Sequence, residues 1–224
     1  SKVIALVERS FGRIPPTPRP PSVVTIEPVQ RGERRVEVEF DAEPRLVLGY
    51  HKPAINHPDD FVFDVIDSVL SDGVTSRLYR SLVVEQRLAA SVFTGSGYPG
   101  TRAPNLFVVG TTPLAPHTPA EVERAIYKEL DRLKAEPVSK QELEKVLNNL
   151  DASLVRSLRS NSGLASQLAY FQTVSGDWRY VLRAREQIAA VTPADIQRVA
   201  SQYLTKSNQT VATLVRAPSS STTE

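Results

Sequence analysis

Three short segments carry the same helix-start signal, and they constrain the fold of the second half of the chain more than any other feature. Thr118-Pro-Ala-Glu121, Ser139-Lys-Gln-Glu142 and Thr192-Pro-Ala-Asp195 each place a hydroxyl three residues before a carboxylate. In such a capping box the hydroxyl and the carboxylate each accept a backbone N–H that a helix start leaves unpaired. The chain is therefore predicted to begin helices at these three points.

Apolar spacing extends these predictions along the chain. A leucine-rich face follows Ser139 and continues past Gly163, which predicts a long helix bent near 161–163. We assign this face to the core in preference to a partner-binding surface. Another helix is predicted over Trp178–Val191, one from Pro58 with an apolar stripe, and one that carries Leu78, Leu82 and Val83.

Five segments have the composition of strands. The alternation in Arg35–Phe40 predicts a half-buried strand, and the turn-like Asp41–Pro44 predicts that it forms a hairpin with Leu46–Tyr50. The other strands are predicted at 89–97, 105–112 and 210–215. Hairpins followed by a group of helices predict an α+β fold, with one mainly antiparallel sheet of five or six strands covered on one face by helices.

Composition shifts divide the chain into four parts. An apolar helical pattern fills 1–14, a proline-rich linker 15–22, an α+β domain 23–216, and a polar tail, expected to be disordered, 217–224. Because the first helical pattern starts at once, we expect the sequence to be a fragment. Its true amino terminus and any export signal are then expected upstream.

Charge and composition exclude several function classes. The 27 Lys and Arg residues are interspersed with 25 Asp and Glu residues, so the clustered basic patch that nucleic-acid binding requires is absent. The chain has no cysteine, which excludes disulfides and thiolate chemistry. No apolar run reaches the roughly 18 residues of a membrane span.

Few side chains suggest catalysis. A histidine zinc site on a helix needs the H-x-x-E-H spacing, and His51, His57 and His117 do not have it. His57 with Asp59 and Asp60 would at best form a loose surface site, and we prefer a turn and a helix start. Gly95-Ser96-Gly97 lacks the spacing of a nucleophile elbow, and the Asn208 glycosylation triplet is attributed to chance. No catalytic or metal-binding residue is therefore expected in this chain.

The run LSDGVTSRLYRSLVVEQRLAASV, residues 70–92, resembles a pattern of the pitrilysin/insulinase family of zinc peptidases, which includes the mitochondrial processing peptidase. Residues 47–70 and 191–215 resemble further segments of this family. The resemblance implies two α+β halves that face each other, with the zinc motif in the amino-terminal half. This chain resembles the carboxy-terminal half, so it is expected to bind no zinc, while zinc is expected in the full-length protein.

The resemblance also implies where substrate-orienting residues would lie. In some members of the family, one half carries an arginine and, seven residues later, a tyrosine that help to orient the substrate. The resemblance places Val83 and Ala90 at these two positions. Both functional side chains are missing, and Arg87 lies on a different helix face. Either the parent is a zinc-bearing subunit whose partner supplies both side chains, or it is a non-catalytic scaffold; the first is preferred. A homo- or heterodimer, a peptide substrate and a periplasmic location are expected by the same analogy.

Overall fold

The computed structural model describes residues 1–18 and 27–216. Its sheet contains five strands, which are β1 (Arg34–Phe40), β2 (Arg45–Lys52), β3 (Ala89–Tyr98), β4 (Asn105–Pro113) and β5 (Gln209–Arg216). The α-helices are α1 (Lys2–Phe11), α2 (Pro58–Ser71), α3 (Pro119–Ala135), α4 (Lys140–Leu158), α5 (Asn161–Val174), α6 (Tyr180–Ala189) and α7 (Pro193–Tyr203). A π-helix spans Tyr79–Glu85, and a single 3₁₀ turn precedes β5. The predicted α+β class is confirmed.

The strand order across the sheet is β1-β5-β2-β4-β3. The pairs β5–β2, β2–β4 and β4–β3 are antiparallel, whereas β1 and β5 are parallel. The sheet is thus mainly antiparallel, as predicted, and β1 and β3 are its edges. The predicted hairpin of residues 89–97 and 105–112 is present as β3 and β4.

The predicted hairpin between β1 and β2 is wrong, because β5 lies between these two strands. Val211 of β5 lies in the core, and the backbone of β5 is paired on both sides, by β1 and by β2. β1 carries Glu37 and Glu39, and charges of this kind suit an exposed edge. Residues 41–44 then connect two strands that do not pair.

The half-buried character predicted for β1 is also wrong in this chain. Val36, Val38 and Phe40 are 51%, 50% and 65% exposed, and the other residues of the strand are exposed as well. Val36 pairs with Ala212 of β5 and Val38 pairs with Leu214, so these side chains lie on the same face of the sheet. They therefore belong to the face of the sheet opposite the core.

The core lies between the sheet and the helices α2, α3, α4 and α7. Phe63 on α2 packs against Phe107 on β4 with ring centroids 5.4 Å apart, and both side chains are fully buried. Leu48, Ile126 and Val199 bring β2, α3 and α7 into the same cluster. Each such side chain contributes about 1.5–3 kcal/mol to folding.

The helix starts predicted from local signals are confirmed. Thr118 and Thr192 form complete capping boxes with Glu121 and Asp195. Ser139 caps α4, but the box there is only half formed, because the Glu142 carboxylate is bound elsewhere. The predicted bend is a break between two helices, and Ser160 caps the second of them.

The domain boundaries expected from the sequence remain predictions. Residues 1–11 contain the predicted helix α1, none of whose residues is buried. Residues 19–26, which comprise the end of the predicted linker and the first four residues of the predicted domain, and the predicted tail, 217–224, lie outside the described residues. Within the described residues, no helix is both long and apolar enough to cross a membrane.

Candidate functional site

The segment Gly73–Ala90 connects α2 to β3 and begins with a tight turn. Gly73 has a φ of +80°, a conformation that glycine adopts without a Cβ penalty. Its carbonyl accepts two hydrogen bonds from Ser76, one from the amide at 3.1 Å and one from the hydroxyl at 2.7 Å. Ser76 is thereby buried as a structural element of the turn.

Arg77 fixes this segment to α4. Its Nε and Nη2 donate to Oε1 and Oε2 of Glu142, each at 2.8 Å, in a bidentate ion pair. The hydrogen bonds from Arg77 are the largest influence that lowers the pKa of Glu142 below its ordinary value. Arg77 therefore positions the start of α4 beside the π-helix.

Of the two positions expected to correspond to the family's arginine and tyrosine, Val83 lies in the π-helix and Ala90 lies in β3. Val83 is partly buried in the π-helix and packs against the core. The wide turn is closed by hydrogen bonds from the Gln86 amide to the Ser81 carbonyl and from the Leu88 amide to the Leu82 carbonyl. Such π-turns occur often at functional sites.

Ala90 is exposed, and it lies at an irregularity in β3. Ala89 pairs with Pro113 and Ser91 pairs with Thr112, so the register shifts across Ala90. A bulge of this kind redirects a side chain relative to its neighbours. Arg87 is also exposed and has a φ of +51°. Neither Val83 nor Ala90 carries a donor, and their correspondence to the substrate-orienting pair remains a prediction.

The three histidines lie apart in separate local contacts. His51 Nε2 lies 3.2 Å from Gln30 Oε1, and His57 Nδ1 accepts the amide of Asp59 and caps α2. His117 Nδ1 lies 3.6 Å from the carboxylate of Glu121. Within 1–18 and 27–216, no group of three or more His, Asp or Glu side chains could hold a metal ion. The residues of these two ranges do not fit a zinc site.

Asp59 and Asp60, which lie in the predicted helix start, are both buried in the structure. Asp59 accepts hydrogen bonds from Arg198 at 2.7 Å and from the hydroxyl of Tyr203 at 2.9 Å. Burial opposes ionisation of Asp59, but these two donors outweigh it and keep its pKa below the ordinary value. Asp60 forms a buried ion pair with Lys52. The helix start expected at His57 is confirmed, and the two carboxylates anchor it to the fold.

The face of the sheet opposite the core is apolar. Phe93 is 54% exposed and lies directly over Gly110, so closely that any side chain at Gly110 would collide with the phenyl ring. Val47 pairs with the same glycine from the other side. Together with the exposed apolar side chains of β1, these residues form a surface that we name the open sheet face, comprising Val36, Val38, Phe40, Val47 and Phe93.

Comparison with known proteins identifies the chain's family. Residues 1–150 match the family model described as the peptidase M16 inactive domain. The chain belongs to this family. The M16 match confirms the resemblance to zinc peptidases drawn from residues 70–92, and the description of the domain as inactive confirms the assignment to a non-catalytic half.

Two relatives of the chain are named as zinc proteases. The chain is 29% identical over 191 residues to the zinc protease PqqE of Helicobacter pylori, an alignment that covers 84% of this chain and 42% of PqqE. It is 25% identical over 166 residues to an uncharacterized zinc protease of Streptomyces coelicolor, covering 72% of this chain and 35% of that protein. The chain thus spans less than half the length of these relatives.

Solved structures have the same fold. A protease from Helicobacter pylori superposes with a TM-score of 0.87 at 25% identity, covering 96% of this chain and 52% of that chain. An inactive peptidase domain from Bordetella parapertussis gives a TM-score of 0.70 at 25% identity and covers 79% of this chain. The alignment covers 94% of the Bordetella domain.

Proposed function

We propose that this chain is the non-catalytic lobe of a zinc-dependent metalloendopeptidase and that it helps to enclose peptides or unfolded polypeptides. The observation that carries the proposal is the match to the M16 inactive domain over residues 1–150. The lengths agree with it, since relatives named as zinc proteases are more than twice as long as the aligned part. The amino-terminal half of the parent protein would hold the zinc, which would activate a water molecule and polarise the scissile carbonyl.

The exposed apolar surfaces of this lobe indicate that it contacts another protein domain. The open sheet face and the apolar side chains of α1, among them Val3, Ile4 and Phe11, are exposed in this chain. Contiguous apolar surfaces of this kind are typical of protein interfaces. The proposal assigns them to contact with the amino-terminal half of the same protein.

Val83 and Ala90 bear on subunit composition. Since neither side chain can donate a hydrogen bond to a substrate carbonyl, a catalytic complex would need the arginine and tyrosine from elsewhere. We therefore favour a parent that carries zinc and pairs with a second family subunit that supplies both side chains. The alternative is a catalytically inactive scaffold subunit, which the same two positions would equally allow.

The experiment uses the full-length parent protein, alone and mixed with a second M16 subunit encoded in the same genome. Cleavage of an internally quenched, unstructured peptide is measured with and without a zinc chelator, together with the zinc content and the mass of each sample. The proposal expects chelator-sensitive cleavage by the mixture and little by the parent alone. Strong cleavage by the parent alone would contradict the need for a second subunit. If the parent sequence lacks H-x-x-E-H and the mixture has no activity, the alternative of a catalytically inactive scaffold subunit is correct.

A further inference from the structure

A cavity of about 900 Å³ opens between α2, α4, α5 and α6, and none of the residues that line it belongs to the segment Gly73–Ala90. Its volume is within the range of about 300–1,000 Å³ that is typical of ligand pockets. Most of its wall is apolar, with Leu147, Leu150 and Leu154 from α4 opposite Val181 and Ile188 from α6. An apolar ligand of modest size would therefore fit without displacing the core.

Aromatic rings form the α5 and α6 side of the cavity. Phe171 and Tyr180 stack with centroids 4.7 Å apart, and Tyr170 contacts the edge of Phe171 at 5.2 Å. The hydroxyl of Tyr170 lies 3.1 Å from the hydroxyl of Thr101, which joins α5 to the β3–β4 loop. Aromatic faces favour apolar groups and also attract cations.

The floor of the cavity is acidic. Asp60, Asp64 and Asp67 lie at spacings of four and three residues on α2, so all three are on one face of the helix. The whole lining contains five acidic side chains and one basic side chain, Arg185. The lining is therefore strongly biased towards negative charge.

Two of these carboxylates lack a cationic partner. Lys52 pairs with Asp60, and Arg185 pairs with Asp151 at the opposite wall. Asp64 and Asp67 form no ion pair with any residue in the described part of the chain. They accept hydrogen bonds only from neutral hydroxyls, Ser96 to Asp64 and Thr94 to Asp67.

The electrostatic surroundings of Asp64 favour the addition of a positive charge. Burial, followed by the negative charge of Asp60, raises the pKa of Asp64 to about 7, although Lys52 opposes this shift. Burial also raises the pKa of Asp67. A cation placed between these carboxylates would compensate the unfavourable burial of their charges.

We propose that this cavity binds an apolar ligand that carries one amine or guanidinium group, with the cation at Asp64 and Asp67 and the apolar body against α4, α5 and α6. This chemistry is shared by free arylalkylamines and by a lysine or arginine side chain of a peptide. The proposal does not depend on peptidase activity, so the two can fail separately.

Binding to the 224-residue chain is measured by calorimetry with two matched sets of probes. The first set is 4-phenylbutylamine with the anionic 4-phenylbutyrate, and the second is acetyl-Phe-Arg-amide with its neutral citrulline counterpart. We expect at least one cationic probe to bind at one site per chain, about tenfold or more tighter than its matched partner. Binding of the amine alone would identify a free amine, and binding of the peptide would identify a basic side chain.

Variants separate this site from general electrostatics. Asp64→Asn and Asp67→Asn should each lower the affinity for the cationic probe by about fivefold or more. Asp131→Asn is the matched control, because it removes the same charge from an exposed pair with Lys134 on α3. Ala184→Leu, which adds volume to the cavity wall and leaves every carboxylate in place, should also weaken binding. Far-ultraviolet circular dichroism and thermal unfolding establish that each variant is folded.

The affinity for the cationic probe should rise by up to about tenfold between about pH 6 and pH 8 as Asp64 ionises. The charged and titratable groups that face Asp64 are Asp60 and Asp67 on α2, Lys52 on β2, Tyr180 on α6, and the Asp151–Arg185 pair across the cavity. The proposal is overturned if neither cationic probe binds at millimolar concentration. It is also overturned if the matched probes bind equally, or if Asp64→Asn and Asp67→Asn bind as Asp131→Asn does.

Discussion

Arg77 and Glu142, which are 65 residues apart in sequence, form a two-pronged ion pair with both N–O distances at 2.8 Å. The Arg77 side chain is 12% exposed and that of Glu142 is 30% exposed. The pair connects the turn after α2 to the first turn of α4, and it withdraws Glu142 from the capping box that its sequence motif predicts. The pair thus determines how the segment that identifies the family is held against the helices.

Arg77→Ala should lower the free energy of unfolding by about 2 kcal/mol, since it leaves a partly buried carboxylate without its partner. Arg77→Lys should recover only part of this loss, because an ammonium cannot make the bidentate contact. The matched control is Arg132→Ala on α3, whose pair with Glu136 is exposed, and its loss should be below about 1 kcal/mol. Urea unfolding measures all three, and equal losses for Arg77→Ala and Arg132→Ala would contradict the prediction.

Asp64→Asn should stabilise the protein at alkaline pH. Because the pKa of Asp64 is raised to about 7 in the fold, the folded state holds a proton that the unfolded state has lost above about pH 4. Its ionisation therefore lowers stability progressively from about pH 4, and the full penalty is present above pH 7. Since solvent reaches part of this side chain, we expect a gain of about 2 kcal/mol for the variant at about pH 8.

At about pH 4, where Asp64 is neutral in the fold, Asp64→Asn should have little effect. Thermal unfolding of the wild type and the variant across this range tests both ends of the prediction. Asp131→Asn provides the control for a surface carboxylate. A constant difference between wild type and Asp64→Asn at all pH values would show that Asp64 does not titrate as the fold requires.

Arg35→Ala should loosen strand β1. Arg35 donates from Nη1 to Glu123 Oε2 at 3.1 Å, and this contact connects the edge strand to α3. Burial opposes ionisation of Glu123, but Arg35 and Tyr127 together keep its pKa below the ordinary value. We expect a loss of about 1 kcal/mol and faster amide exchange in β1 than in β5, because β1 pairs with only one strand.

Arg34→Ala is the matched control for this experiment, since Arg34 is the neighbouring residue of the same strand and points to the other face. Hydrogen exchange followed by mass spectrometry resolves the two strands. Unchanged exchange of the β1 amides in Arg35→Ala would show that backbone pairing alone holds the strand.

Val83→Arg and Ala90→Tyr should differ sharply in stability. Val83 is partly buried against the core, so an arginine there should cost about 1–3 kcal/mol. Ala90 is exposed at an irregularity of β3, so a tyrosine should change stability by less than about 0.5 kcal/mol. Chemical denaturation compares the two, and Val84→Arg at the exposed neighbouring position serves as the control for adding an arginine to the π-helix. If Val83→Arg is tolerated as well as Val84→Arg, then Val83 is free to carry a functional side chain.

Elements with local determinants were predicted well. The helix starts at Thr118 and Thr192 require only residues within one turn, and the β3–β4 hairpin joins neighbouring strands. The break near Ser160 follows from another local cap. Interactions over three or four residues are the same whatever the rest of the chain does, so a single sequence is enough to predict them.

The errors involve partners that are distant in sequence. The turn at 41–44 fits a hairpin, yet β5, which begins at Gln209, takes the place beside β2. The helix start at Asp59 and Asp60 was predicted, but not their burial, which the distant partners Arg198 and Lys52 allow. The spacing of Asp60, Asp64 and Asp67 could have indicated an acidic helix face, although nothing in the sequence shows that α4, α5 and α6 leave a cavity above it.

The sequence by itself determined the fold class, most helix starts and the family, because apolar periodicity, caps and the pattern in residues 70–92 are properties of short segments. Only the tertiary structure decided that β5 separates β1 from β2, that Arg77 takes Glu142 from its cap, and that Asp64 and Asp67 face an apolar cavity. Each of these three features depends on the free energies of alternative contacts between distant parts of the chain and on how far each carboxylate is desolvated. Both quantities are set by packing of the whole chain.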